Sequence, residues 1–156
     1  MTLIEKINLL KDVVKHLKEL NNDQFIYVTY VRKFDKENYC GTKCCVAGYY
    51  PQWFPEANLI YTKSPYTFSF TIVPKYSLQE DDVRKTLCDF HELSDRLIGI
   101  LFYGENFLHE RFDGSKICIY SDNCATLEEV IERFEVVIEG LTDGNITPDL
   151  AHKSRV

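Results

Sequence analysis

The chain has 156 residues, is 45% hydrophobic and 27% charged, and carries a net charge of −6. That length suits one domain with a core needing no disulfide or metal. It is read as a single globular domain over 1–144 with a polar C-terminal tail over 145–156. The acidic balance lacks the clustered Lys and Arg that a phosphate backbone demands, so no direct nucleic-acid contact is expected.

Residues 2–21 place Ile4, Ile7, Leu10, Val13, Val14, Leu17 and Leu20 at helical spacing. Thr2 and Glu5 fit a capping box, and Asn21-Asn22-Asp23 favours a turn. Residues 25–34 are β-branched or aromatic almost throughout and predict a strand, followed by a polar loop over 35–38. A short helix is expected over Lys43–Tyr50 with Thr42 as N-cap, stopped by Pro51 and Pro55. Residues 58–62 and 67–73 read as strands. In the second, Phe68, Phe70 and Ile72 alternate with Ser69, Thr71 and Val73.

Ser77 and Glu80 suggest a second capping box, opening a helix over Leu78–Asp89. A further helix, Ser94–Tyr103, carries Leu97, Ile100 and Leu101 on one face, with Gly104 at its C-terminal cap. Residues 116–120 predict a short strand. Thr126 and Glu129 form a third capping box, opening a helix with Leu127, Val130, Ile131, Phe134, Ile138 and Leu141 on one face. Gly140 and Asp143-Gly144 should end that helix, and the last dozen residues should be loose. The fold class is α+β, with four to five helices packed on a small, mainly antiparallel sheet.

No apolar run approaches the roughly 18 residues that span a bilayer, and the N-terminus lacks the pattern of a secretory signal. No membrane contact is expected. The predicted location is the cytoplasm, where the six Cys should be thiols.

The densest candidate chemistry is Cys40-Gly41-Thr42-Lys43-Cys44-Cys45-Val46-Ala47-Gly48. Gly41 permits a sharp turn, and Ala47 and Gly48 allow close approach of a neighbour. A thiol at a helix N-terminus can be activated by the dipole, which makes Cys40 or Cys45 a conceivable nucleophile with His91 as base. The simpler reading is an elbow of inert, buried thiols. Cys40 and Cys44 have the spacing of half a zinc site, but Cys118 and Cys124 lie too far apart for the other half, so no metal is assigned. His16 falls off the apolar stripe and is expected in solvent. Asp81, Asp82, Glu128, Glu129, Glu132 and Glu135 read as solvated helix charges. No catalytic residue and no cofactor is assigned.

The second unusual stretch is Tyr49-Tyr50-Pro51-Gln52-Trp53-Phe54-Pro55. Aromatic rings at a rigid turn are typical interface anchors, so Tyr49, Tyr50, Trp53 and Phe54 are candidate binding residues. The competing reading is a core plug. Residues 126–141 hold five Glu against Arg133, a local net charge of −4 that would steer a basic partner.

The run from Cys40 to Gly48 resembles a Cys-Gly-Thr-x-x-Cys-[Ile/Leu/Val]-Ala-Gly signature of small bacteriophage and bacterial proteins of no assigned activity. Cys40, Gly41, Thr42, Cys45 and Gly48 are the matching positions, and Cys44 stands where a small apolar residue is usual. A helix before the run, the segment from Leu87 to Tyr103 and a closing helix extend the likeness. The strand-rich stretches 25–34 and 60–73 depart from it and favour α+β over an all-helical fold. The resemblance implies a phage accessory protein in a host cytoplasm that binds a host or competing protein, as an inhibitor of a host process or defence. The other readings are a small cysteine-dependent enzyme and a small-ligand-binding protein.

Overall fold

The computed structural model describes residues 1–21, 31–33, 42–63, 70–119 and 126–152, and every structural statement below concerns these. The predicted α+β class is the one observed. Helix α1 spans Leu3–Glu19, with the Thr2–Glu5 capping box formed at both ends: the Glu5 N–H donates to Thr2 Oγ1 and the Thr2 N–H to the Glu5 carboxylate. Its buried stripe is Ile7, Leu10, Val13, Val14 and Leu17, whereas Ile4 stays 70% exposed.

Strands β1 (Val31–Lys33) and β2 (Thr42–Cys44) pair antiparallel, the first being the end of the predicted strand over 25–34. Thr42 is therefore in a strand and caps no helix. The chain then tightens into a 3₁₀ turn, Ala47–Tyr49, and a one-turn helix α2, Tyr50–Trp53. Pro51 sits in the first turn of α2, where a missing N–H costs nothing, so it opens the helix that it was expected to stop. Pro55 likewise starts the 3₁₀ turn Pro55–Ala57.

Strands β3 (Leu59–Lys63) and β4 (Phe70–Pro74) pair antiparallel, close to the predicted spans. No Ser77–Glu80 capping box forms. A 3₁₀ turn, Glu80–Asp82, precedes helix α3 (Val83–His91), and Ser77 Oγ accepts instead from the Gln79 N–H. Helix α4 (Asp95–Phe102) has Ser94 as its side-chain cap and Gly104 at φ +68° beyond its end. Strand β5 (Phe107–Glu110), which periodicity did not single out, pairs with β6 (Lys116–Ile119). The strands thus form three separate two-stranded ribbons in place of one sheet.

Helix α5 (Leu127–Asp143) carries the third capping box as expected and runs past Gly140 to Gly144, whose φ of +83° suits glycine. Gly140 is small for a different reason: any Cβ there would overlap the side chain of Ile146, which folds back onto the helix. Residues 145–152 are correspondingly docked, not loose. Ile146 is buried, the Ser94 N–H donates to Pro148 O at 2.9 Å, and His152 reaches Asp95 at 3.0 Å. The core lies between α1 and α5 on one side and the α2–α3–α4 region on the other. None of the described helices is long and apolar enough to cross a membrane.

Candidate functional site

Cys40 and Gly41 lie outside the described residues. Cys45 and Gly48, the other matching positions beyond Thr42, are buried in the turn leading to α2, where the Gly48 N–H donates to Cys45 O at 3.0 Å. Burial pushes the Cys45 thiol up to about 11, and the nearby Gly48 and Ala47 N–H groups offset only part of that rise. A thiol held so far from its thiolate is a poor nucleophile. The hydroxyl of Tyr61 on β3 donates to Gly48 O at 2.7 Å and accepts from Gln52, so the turn is tied to the ribbon beside it. Among the described residues, no three His, Cys, Asp or Glu side chains gather as a metal ion would require.

The aromatic stretch faces inward. Tyr49, Tyr50 and Phe54 are buried and Trp53 is half-buried, which corrects the expectation of exposed anchors. The reason is geometric: a 3₁₀ turn running straight into α2 swings successive rings to different sides, and a neighbouring element meets each. Tyr50, fully buried, lies 5.0 Å from Phe54, 5.6 Å from Phe102 and 6.1 Å from Phe90 between ring centroids. Trp53 is sandwiched between His16 of α1 at 5.0 Å and Tyr49 at 4.9 Å, nearly parallel to both. His16, expected in solvent, is thus half-buried against the indole.

His91, the proposed base, does not meet a described thiol. It is fully buried at the end of α3, with Nε2 2.7 Å from the Tyr50 hydroxyl and Nδ1 without a partner among the described residues. Burial alone lowers its pKa to about 3 and raises that of Tyr50 well above the ordinary phenol value. Two neutral groups sealed among phenyl rings hold the core together. They have no open face toward a substrate.

The surface shows a feature that sequence reasoning missed. After β4 the chain turns through Lys75, Tyr76, Ser77 and Leu78. Tyr76 is 81% exposed and Leu78 62% exposed. Leu78 has φ +57°, a left-handed conformation that bulky residues rarely adopt. Three hydrogen bonds hold it there: Leu78 N–H to Pro74 O at 2.9 Å, Lys75 N–H to Asn58 O at 2.8 Å, and Gln79 N–H to Ser77 Oγ. Glu80, Asp81 and Asp82 follow immediately and border the turn with carboxylates. The available signal was local: Leu78 is followed by four polar residues, which breaks any apolar stripe for the helix assigned to it.

A second support surrounds α3 and α4. Arg84 makes a two-pronged pair with Asp95 at 2.6 and 2.9 Å, reaches Glu105 at 3.1 Å and lies over the Tyr103 ring. His152 joins Asp95 from the C-terminal segment. Comparison with family models, curated proteins and solved structures finds no match.

Proposed function

We propose that this chain is a protein-binding module that presents Tyr76 and Leu78 to an apolar recess rimmed by basic residues on its partner. One observation carries the reading: a leucine is held in a left-handed conformation with its side chain in solvent. Backbone strain costs stability, on the order of 1 kcal/mol here, and is retained where it serves a site. Large exposed side chains on a constrained turn bind with little ordering cost. The carboxylates of Glu80, Asp81 and Asp82 would select a partner of opposite charge and speed its approach.

The likeness of the Cys40–Gly48 run to phage proteins supplies the setting proposed for this activity: an accessory protein in a bacterial cytoplasm acting on a host or competing protein. Burial of Cys45 and of the Tyr50–His91 pair favours this reading over a cysteine-dependent enzyme.

The test is a photo-crosslinking amino acid at position 76 in bacterial cells making the protein, with position 149 as an exposed control. A single adduct formed at 76, absent at 149 and lost on Leu78→Ser, is the expected result. Equal labelling at both positions would overturn the proposal.

A further inference from the structure

The segment after α5 crosses the junction of α3 and α4 and is held in two different ways. Its first part is fixed. Ile146 is buried in the notch that Gly140 leaves open, and its N–H donates to Gly140 O at 2.9 Å. The remainder, 147–152, is a small unit with its own turn, closed by the Leu150 N–H donating to Thr147 O at 3.1 Å. Among the described residues, three contacts hold this unit down. Pro148 O accepts the Ser94 N–H at 2.9 Å, Leu150 packs half-buried against the core, and His152 Nε2 meets Asp95 Oδ2 at 3.0 Å. Thr147, Asp149, Ala151 and His152 are exposed.

The charges beneath the unit do not balance without His152. Arg84 of α3 is shared by two carboxylates, Asp95 at 2.6 Å and Glu105 at 3.1 Å. One guanidinium against two carboxylates leaves one negative charge. No other described neighbour cancels it. The Cys88 thiol beside Asp95 is kept neutral, chiefly by burial, and Asp89 of α3 and Asp149 of the unit itself only add negative charge. Arg96 turns away to donate to Asn106 O. Hydrogen bonds from Arg84, and then from His152, hold the Asp95 carboxyl below the usual carboxylate range, so it stays charged from pH 5 upward. His152 is charged only when protonated.

We propose that residues 147–152 form a pH-sensitive strap, bound across the α3–α4 junction while His152 carries its proton and loosened when the proton passes to solvent. Imidazoles change charge between pH 5 and 8, a range in which Asp95 stays ionised. At the acid end the imidazolium completes the charge balance. At the alkaline end a neutral imidazole keeps at most a hydrogen bond. Lifting the strap about Ile146 takes the acceptor from the Ser94 N–H, draws Leu150 off the core and bares the Asp95 carboxylate. Ile146 stays in its notch and keeps the end of α5 closed. Both partners of the ion pair are half-exposed, so the response is graded: the charge shifts the open fraction by about two- to fivefold.

The test is amide exchange followed by NMR at pH 5.5 and 8.0, each rate divided by its intrinsic value. In wild type the Ser94 N–H should be better protected at pH 5.5 by that factor. The Phe54 N–H, whose acceptor Tyr50 O lies in the aromatic cluster, is the control and should not gain protection in acid. An acid loss of overall stability lowers the protection of both amides, so the sign at Ser94 separates the strap from the core. His152→Gln keeps a donor without the charge and should leave Ser94 at the lower protection at both pH values. His152→Lys, charged at both, should keep the higher protection at pH 8.0. Ser94 protection that is equal at the two pH values, or that falls in acid, would overturn the proposal. So would an unchanged pH response in His152→Gln, or wild-type behaviour of His152→Lys.

Discussion

The stretch from Tyr49 to Phe54 and the turn from Lys75 to Leu78 are both short, aromatic and flanked by helix breakers, and they meet opposite fates. In the first, four rings are drawn inward, and Tyr50 of α2 touches Phe54 just beyond that helix, Phe90 of α3 and Phe102 of α4. In the second, Tyr76 and Leu78 remain in solvent, although the backbone there is strained. The contrast shows that ring density in a sequence reports only a need for contact. Whether the contact is made within the chain or with another molecule depends on what the fold brings alongside. Apolar side chains exposed singly are common and need no explanation. A leucine exposed in a conformation it disfavours is less easily set aside.

This comparison can be broken most forcefully at Tyr50. Tyr50→Ala removes a fully buried ring from the junction of three helices and should cost about 3–5 kcal/mol. Urea unfolding measures it, and a loss below about 1 kcal/mol would mean that the cluster is not the core described above.

A smaller effect comes from acid. His91 is neutral when folded, with a pKa near 3, against 6.5 when unfolded. The unfolded chain therefore takes up the proton first. Stability from this group is complete above about pH 6.5 and declines as pH falls toward 3. Between pH 7.5 and pH 5 the loss should be about 2 kcal/mol. The carboxylates with lowered pKa, Asp95 among them, begin to contribute only at more acidic pH. His91→Gln should flatten the slope between pH 6.5 and 5, and an unchanged slope in that variant would assign the titration elsewhere.

The smallest expected effect has the opposite sign and sharpens the contrast. Leu78→Gly relieves the left-handed strain while loosening the unfolded chain, so stability should rise by roughly 0.5 kcal/mol. The same substitution should abolish the crosslink at position 76. A variant that is more stable and still binds would show that the turn is an accident of chain routing.

Much of the fold was legible. The Thr2–Glu5 and Thr126–Glu129 capping boxes set the starts of α1 and α5 because their hydrogen bonds are satisfied within four residues. Strands β3 and β4 appeared close to their observed spans because apolar clustering and the bounding turns are also local. The Ser77–Glu80 box failed because Ser77 spends its hydroxyl on Gln79, two residues away, and Pro74 O takes the Leu78 N–H. Strand β5 escaped notice although Asp113-Gly114 is a strong hairpin signal: Gly114 sits at φ +84° and Asp113 accepts from Ser115. Of the candidate site, the sequence marked the Cys-Gly-Thr run and the aromatic stretch as unusual, and the structure finds Cys45 and Gly48 of the first, and Tyr49, Tyr50 and Phe54 of the second, buried.

What the sequence determined by itself is the α+β class, the amphipathic α1 and α5 with their caps, and the acidic character of the second half. These depend on spacing, propensity and charge, which act over a few residues. Tertiary structure alone decided that Cys45 and His91 are sealed from solvent, that Trp53 lies between His16 and Tyr49, that Ile146 closes over Gly140, and that Tyr76 and Leu78 are left outside. Burial and contact join residues tens of positions apart, and no local pattern encodes which partner arrives.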